Sequence, residues 1–145
     1  MLSQDKILIG RKEQACFFSI KIKGIGVKID SGAYSCSIDC SHIELVDFEG
    51  STCLEVVFLQ VKDSGFTGEK FYFKEFTKKK VTSSSGNAQF RYIISLPITF
   101  FGKTFNAPFS LTNRNGLRTS VLIGRKLLNK NFIIDTSRKY LSKNY

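Results

Sequence analysis

The chain has 145 residues, a length that predicts one domain over residues 1–145 with a core that needs no disulfide or structural metal. Hydrophobic residues make up 42% of it, but no apolar run approaches the ~20 residues of a membrane span or the apolar stretch of a signal peptide, so we expect a cytoplasmic protein with no membrane partner. The net charge of +10 favours acidic partners, or serves only to keep the protein soluble.

The first half of the chain alternates in the way typical of β-strands. The run from Cys16 to Ile22 is followed by a second run that carries Ile25, Val27 and Ile29, so we predict a hairpin that turns at Lys23-Gly24. Residues 53–61 (CLEVVFLQV) and 71–76 predict a second hairpin, and residues 62–69 form its tip.

The second half of the chain contains the clearest hairpin. Residues 83–87 (SSSGN) predict a loop. Residues 90–98 and 105–111 then alternate around a turn at Phe101-Gly102, with Pro97 and Pro108 at edge positions or bulges. A loop at 113–118 precedes a short buried strand at 121–123, one or two helical turns at 125–130 and a last strand at 132–135. The predicted fold class is all-β, a small closed β-barrel or sandwich with one short C-terminal helix.

Metal and cofactor motifs are absent from the sequence. Cys16 and Cys53 lie in apolar segments and fit small core residues. Cys36, Cys40 and His42 lie close together but lack the spacing of a zinc site. There is also no G-x-x-x-x-G-K-[ST] loop for ATP. We therefore predict reduced thiols, no metal and no cofactor.

The tripeptide Asp-Ser-Gly occurs first at Asp30, directly after the apolar run that ends at Ile29. These residues are common in turns, so the tripeptide alone identifies nothing. An aspartic peptidase, however, needs such a loop to carry one carboxylate of a facing pair that shares a proton. Ser31 would supply a hydroxyl across the two-fold axis, and Gly32 would let the two backbones approach.

The second copy begins at Asp63, flanked by Lys62 and Phe66 and placed between two strands. This setting predicts a hairpin turn. The 33 residues that separate the two aspartates are too few for the strands of one lobe, so the copies are not the two halves of a two-lobed enzyme. A chain with one catalytic loop needs a second copy, which predicts a symmetric homodimer.

Two segments resemble the signatures of retropepsin-like aspartic peptidases: VKIDSGAYSCSI (27–38) and VLIGRKLL (121–128). The resemblance is greater to a bacterial retropepsin-like family that carries the label ATP-dependent zinc protease. Five segments resemble that family's blocks in sequence order: IGRKE (9–13), KIDSGAYS (28–35), VTSSSGNAQFRYII (81–94), LTNRNG (111–116) and LIGRKLL (122–128).

The resemblance implies a retropepsin-like (acid protease) barrel in which Asp30 is the catalytic aspartate. The remaining implied positions are the loop residues Ser31, Gly32 and Ala33 and the structural pair Gly124 and Arg125. Viral relatives place an acidic residue after the loop to pair with the arginine. Tyr34 stands there in this chain, so Arg125 needs another partner.

The resemblance also implies a flap over the cleft and a role for residues 132–145 in closing the dimer. The candidate flap is the tip at 62–69, with Asp63, Ser64, Gly65 and Gly68. A plain surface hairpin is the alternative.

Three functions from different classes fit these patterns. The first is a homodimeric aspartic endopeptidase that acts on acidic, glutamate-rich peptides, since relatives of the family are associated with ligases that add glutamates to proteins. The alternative is a non-catalytic dimeric peptide-binding module of the same fold. A nucleic-acid-binding domain is disfavoured, because the phenylalanines of the basic segment 70–80 (KFYFKEFTKKK) are explained as core residues.

Overall fold

The computed structural model describes residues 5–82, 86–113 and 119–145, so residues 83–85 and 114–118 of the two predicted loops lie outside the described residues. Strands dominate the described chain, with one α-helix and short 3-10 turns at Phe18–Ile20 and Leu141–Asn144. The elements are β1 (Ile7–Ile9), β2 (Lys12–Phe17), β3 (Ile22–Ile29), β4 (Cys36–Phe48), β5 (Ser51–Phe58), β6 (Phe71–Phe73), β7 (Thr77–Thr82), β8 (Ala88–Phe100), β9 (Lys103–Thr112), β10 (Val121–Ile123), α1 (Arg125–Asn131) and β11 (Phe132–Ile134). The all-β class with one short C-terminal helix is thereby confirmed. Within the described ranges, no helix has the length and apolar character to cross a membrane.

The main sheet closes on itself through β10. Leu122 of β10 lies opposite Lys28 of β3 in a parallel pair and opposite Ser37 of β4 in an antiparallel pair. The ring continues through β2, β8 and β9 back to β4. β5 and β6 extend the sheet from β4, β7 pairs with β8, and β1 and β11 form a separate parallel pair. β10 thus joins the end of β3, where Asp30 follows, to the start of β4.

The core fills the inside of this ring. Along β8, Ile94, Leu96 and Ile98 are 2%, 1% and 0% exposed, which is the alternation predicted for the third hairpin. The ring of Phe17 packs edge-on against Phe109 with centroids 5.4 Å apart. Each large apolar side chain buried in this way stabilises the fold by roughly 1.5–3 kcal/mol.

The first hairpin turns earlier than the sequence predicts. β2 ends at Phe17, and a 3-10 turn followed by Lys21 in the left-handed region, with φ of 61°, reverses the chain. Phe17 is fully buried and Phe18 is 55% exposed, and the strand predicted to continue to Ile22 ends at Phe17. A bulge in β3 shifts the register, because Gly24 is an extra residue between Lys23, which lies opposite Cys16, and Ile25, which lies opposite Ala15.

The second hairpin is confirmed, because β5 and β6 pair antiparallel. Three phenylalanines of the basic segment pack against the core, as expected for core residues: Phe71, Phe73 and Phe76. β4, which pairs with β5 from Cys40 to Phe48, is a strand that the sequence periodicity did not predict. The long β4–β5 pair therefore joins the Asp30 side of the ring to the second hairpin.

Candidate active site

The loop that begins at Asp30 is a hydrogen-bonded turn at the end of β3. The Asp30 backbone N–H donates to the Ile123 carbonyl oxygen at 2.9 Å, which ties the loop to β10. Asp30 Oδ1 accepts the Gly32 N–H at 3.0 Å, and the Asp30 carbonyl accepts the Ala33 N–H at 3.2 Å. Asp30 is half-buried, and Ser31 and Gly32 are exposed. The loop therefore presents a carboxylate and a hydroxyl on a fixed backbone.

Arg125, at the start of α1, holds the same loop from the other side. Its backbone N–H donates to the Ala33 carbonyl at 2.8 Å, and its Nη1 donates to the Ser31 carbonyl at 3.0 Å. Its guanidinium carbon lies 5.8 Å from the centre of the Tyr34 ring, within cation–π range. Tyr34 and the Ser31 carbonyl are thus the partners that Arg125 finds where viral relatives have an acidic residue.

Gly124 permits the close contact between the Asp30 loop and β10. A Cβ atom at this position would lie 2.5 Å from the Ser35 carbonyl oxygen and 2.7 Å from that of Tyr34. Both atoms belong to the backbone and have little room to move. A side chain at Gly124 would therefore push the Asp30 loop away from α1.

Asp63, in the second Asp-Ser-Gly copy, has a different setting. Its Oδ2 accepts the Gln60 N–H at 2.8 Å, and its Oδ1 accepts the Ser120 hydroxyl at 3.0 Å. Its carbonyl accepts the Phe66 N–H at 3.1 Å, which completes a turn. Ser120 directly precedes β10, whereas Asp30 bonds to the last residue of β10. The two aspartates are therefore held at opposite ends of this strand.

The rest of the 62–69 loop packs near Asp63. A Cβ on Gly65 would lie 3.3 Å from Leu59 and 3.6 Å from Ile22, and Gly68 has φ of 74°. Ser64 and Asp63 line a cavity of about 270 Å³ whose other lining residues include Lys12, Lys28 and Tyr140. The flap role of this loop stays a prediction.

The three residues weighed as zinc ligands do not form a group. Cys36 and Cys40 are buried free thiols, and burial raises the pKa of both, that of Cys40 well above its ordinary value. A thiol must lose its proton to bind zinc well, so this burial disfavours a metal there. His42 instead pairs with Glu55, its Nε2 lying 2.8 Å from Oε1.

His42, Glu44 and Glu55 place their ligand atoms within 4.8 Å of one another in the part of the chain that the structure describes. The Glu55 carboxylate also accepts a hydrogen bond from Tyr72, and this bond, followed by that from His42, holds the pKa of Glu55 below its ordinary value. Lys70 Nζ lies 3.7 Å from Glu55 Oε1. These neighbours already balance the negative charge of the Glu55 carboxylate, so the cluster of His42, Glu44 and Glu55 is explained as an ion-pair network.

One protein family accounts for nearly the whole chain. The family described as RimB-like, retropepsin-like aspartic endopeptidase RimB, matches residues 8–145. The chain belongs to this family. The sequence signatures around Asp30 and Gly124 lie within the matched range.

Curated relatives of this RimB-like chain carry a different name. Probable alpha-L-glutamate ligases of Shewanella pealeana and Shewanella halifaxensis are each 25% identical to it over 139 residues, which is 96% of this chain and 30% of each relative. A probable alpha-L-glutamate ligase of Desulfotalea psychrophila is 27% identical over 136 residues, or 92% of this chain and 29% of the relative. The chain thus spans less than a third of the length of these relatives.

A solved structure shares the fold of the RimB-like chain. It is the crystal structure of Lpg0085 from Legionella pneumophila, a protein described as having unknown function (DUF785). The TM-score is 0.71 at 21% identity, and the match covers 93% of this chain and 97% of that one. This likeness supports the fold.

In this RimB-like chain the Asp30 loop borders a cleft that the sequence analysis did not predict. One cavity of about 250 Å³ is lined by Ala33 of the loop and by Ser37, Lys79 and Arg91. An adjoining cavity of about 210 Å³ shares Lys79 with the first and adds Lys126 of α1. We call the two together the Ser37 cleft. The basic run that contains Lys79 was visible in the sequence, but nothing there indicated which of its lysines face the loop.

Proposed function

We propose that two copies of this chain form a homodimeric aspartic endopeptidase in which each copy contributes Asp30 to the catalytic dyad. The observation that carries the proposal is the Asp30 loop, whose backbone is fixed by Ile123 and Arg125 while its carboxylate and Ser31 stay accessible. Membership of the RimB-like family supports the same chemistry.

The dyad would hydrolyse a peptide bond with an activated water. Two carboxylates that face each other share one proton. The ionised Asp30 accepts a proton from water as the water oxygen bonds to the carbonyl carbon, and the protonated Asp30 donates its proton to the carbonyl oxygen. The ionised Asp30 then takes a proton from one hydroxyl of the tetrahedral intermediate as the C–N bond breaks, and the nitrogen leaves with the proton of the other Asp30, which restores the singly protonated dyad.

Asp63 supports the need for a second copy. Its two oxygens already accept bonds from Gln60 and Ser120, and it lies at the other end of β10 from Asp30. The second carboxylate therefore comes from the Asp30 of another chain across a two-fold axis. Paired residues on the two-stranded β1–β11 sheet, Leu8 and Ile133, are 43% and 55% exposed and offer an apolar surface for this contact.

Glutamate-rich peptides are the proposed substrates. A net charge of +10 per chain attracts acidic peptides, over a distance that shortens as the ionic strength rises. The relatives named probable alpha-L-glutamate ligases share a segment similar to this chain. A domain that occurs beside glutamate ligation is well placed to act on glutamate-containing chains.

A non-catalytic peptide-binding module is the second candidate. The observation that favours it is that the relatives carry the name of a ligase while the similar segment covers 30% or less of their length. In such a protein the module would bind the peptide, and other parts would supply the chemistry. This candidate requires the same cleft but no turnover.

The experiment that separates these candidates compares Asp30→Asn with Asp63→Asn. Hydrolysis of an oligo-glutamate peptide is measured from about pH 3 to pH 8, because dyad titrations belong to the pair. Asp30→Asn should lose activity by about 10³-fold or more and remain folded. Asp63→Asn should stay near wild type, because its amide oxygen accepts the Gln60 N–H while its NH₂ donates to the Ser120 oxygen.

Full activity in Asp30→Asn would overturn the catalytic assignment. Equal losses in both variants would mean that the turn at Asp63 also contributes to the reaction. Peptide binding without hydrolysis in the wild type would favour the binding module.

A further inference from the structure

A row of side chains crosses five strands on the face of the sheet beside the Asp30 loop. Leu122 lies opposite Ser37, Ser37 opposite Ser110, Ser110 opposite Ile93 and Ile93 opposite Thr77. Residues directly opposite in neighbouring strands share a face. The row therefore forms the floor of the Ser37 cleft.

Ser37 has an unpaired hydroxyl in this floor. The residue is 8% exposed, and among the described residues no hydrogen-bond partner reaches its Oγ. A buried hydroxyl without a partner destabilises the fold, and in native proteins such groups call for an explanation. A ligand oxygen in the cleft would supply the missing partner.

Two cations stand opposite each other at the edge of this floor. Lys79 and Arg91 are cross-strand partners, two residues along from Thr77 and Ile93, so they share the face of the row. Like charges at this spacing repel each other. Within the described residues neither has an ion-pair partner, and both side chains line the cleft.

The remaining lining of the Ser37 cleft is also suited to an anion. Lys126 of α1 adds a third cation, and Ser35 and Ser110 add hydroxyl groups. No carboxylate occurs among the residues, all within the described ranges, that line either cavity. The lining of the Ser37 cleft thus contains three basic side chains and no acidic one.

We propose that the Ser37 cleft is the specificity subsite for a glutamate side chain of the peptide substrate. Lys79 and Arg91 bind its carboxylate, and the Ser37 hydroxyl donates to one of the carboxylate oxygens. The proposal rests on the proposed function, because Ala33 lines the cleft and is hydrogen-bonded to Asp30, so an occupant lies beside the catalytic loop. A peptide carboxylate is favoured over a free anion, since the cleft opens beside the position that the scissile peptide would occupy.

The test measures binding of a short oligo-glutamate peptide, labelled with a neutral fluorophore, by fluorescence anisotropy. The Asp30→Asn protein is used as the background so that the probe is not hydrolysed, and wild-type protein is measured in parallel. Lys79→Gln and Arg91→Gln should each weaken binding by about 10-fold or more, because each substitution removes a hydrogen bond between charged groups.

Lys80→Gln is the matched control. Lys80 follows Lys79 on β7 and lies opposite Phe90 on the other face of the hairpin. The substitution removes the same charge from the same strand, so it should change binding by no more than about 2-fold, since exposed charges are screened by salt. Equal losses of peptide binding in Lys79→Gln and Lys80→Gln would overturn the subsite, because they would mean that the peptide is attracted only by the overall positive charge of the protein.

Ser37→Ala gives a second, independent readout. Removal of an unpaired buried hydroxyl should leave the thermal midpoint unchanged or raise it, while peptide binding weakens several-fold. A purely structural serine would not separate these two effects. Unchanged binding in Ser37→Ala would remove Ser37 from the subsite.

Two further binding measurements identify which ligand the Ser37 cleft binds. An oligo-glutamine peptide of equal length should bind at least about 10-fold more weakly to the unsubstituted background, because it lacks the charge. Inorganic phosphate is also tested as a competitor of the labelled peptide. If phosphate displaces the peptide as effectively as unlabelled oligo-glutamate does, and Lys79→Gln abolishes this displacement, the cleft is a phosphate site and the proposal is overturned.

The outcome for the subsite is separable from that for the peptidase. Lys79-dependent binding with no hydrolysis by the wild type would sustain the subsite and reject the endopeptidase. Hydrolysis at equal rates for glutamate and glutamine peptides would sustain the endopeptidase and reject the subsite.

Discussion

The Glu55 carboxylate lies among side chains that stabilise its charged form. Tyr72 and His42 hydrogen-bond to it and hold its pKa below the ordinary value, and the same bond raises the pKa of Tyr72. A depressed carboxyl pKa adds stability that is present above the unfolded value of about 4.3 and is lost as the pH falls through the folded value.

Glu55→Gln tests this contribution. The amide does not titrate, so the stability of the variant should fall less steeply than that of the wild type as the pH drops from about 5 to 3. Urea unfolding at each pH measures the difference. Parallel curves for the two proteins would mean that Glu55 does not contribute to acid unfolding.

The turn at Asp30 could be predicted because its chemistry is local, whereas the catalytic role of Asp30 stays a prediction. Asp30 was assigned from its apolar strand and small neighbours, and the structure gives it a turn built from its own loop. The partners of Arg125 were not predictable, because a backbone carbonyl and the Tyr34 ring leave no charge pattern in the sequence.

At the level of elements, the turn from β10 into α1 determines where the Asp30 loop lies. Gly124→Ala should lower the free energy of unfolding by about 2–4 kcal/mol, since its Cβ would collide with the Ser35 carbonyl. Gly26→Ala is the control, because a Cβ there meets nothing within 4 Å. Denaturant titration of both variants measures the effect, and equal stability would contradict the close contact.

The third hairpin was predicted correctly because its alternation is strict and its turn is short. Pro97 lies on β8 between the stretch paired with β7, which ends at Ile93, and the single pair with β2 at Thr99, so the missing N–H costs no bond there. β4 was missed because Ser37, Asp39 and other polar residues interrupt its apolar pattern. Those side chains face the cleft or form hydrogen bonds, and periodicity does not indicate either.

At the level of the whole molecule, the proposed dimer predicts a specific apolar contact. The protein should sediment as a dimer at micromolar concentration, and Leu8→Lys with Ile133→Lys should yield a folded monomer that no longer hydrolyses peptides. Leu45→Lys is the control, since Leu45 is 46% exposed on β4 and should leave the dimer intact. Sedimentation velocity measures both, and an active monomer would contradict the shared site.

The Ser37 cleft could not be predicted because its floor combines residues of five strands, while Ala33 of the Asp30 loop and Lys126 of α1 add to its lining. The register of β4 with β9 and of β7 with β8 brings Ser37 and Lys79 to one face. A sequence pattern describes one strand at a time and contains no information on this register. The charge excess was visible in the composition, but its concentration beside Asp30 was not.

The parallel pairing of β10 with β3 also determines when the Asp30 loop forms during synthesis. Asp30 leaves the ribosome roughly ninety residues before its partner Ile123 and before Arg125, and contacts this distant in sequence form slowly. A nascent chain that ends before β10 has the aspartate but not the anchors that orient it. The carboxylate is therefore held in its final position only after β10 and the start of α1 have been synthesised.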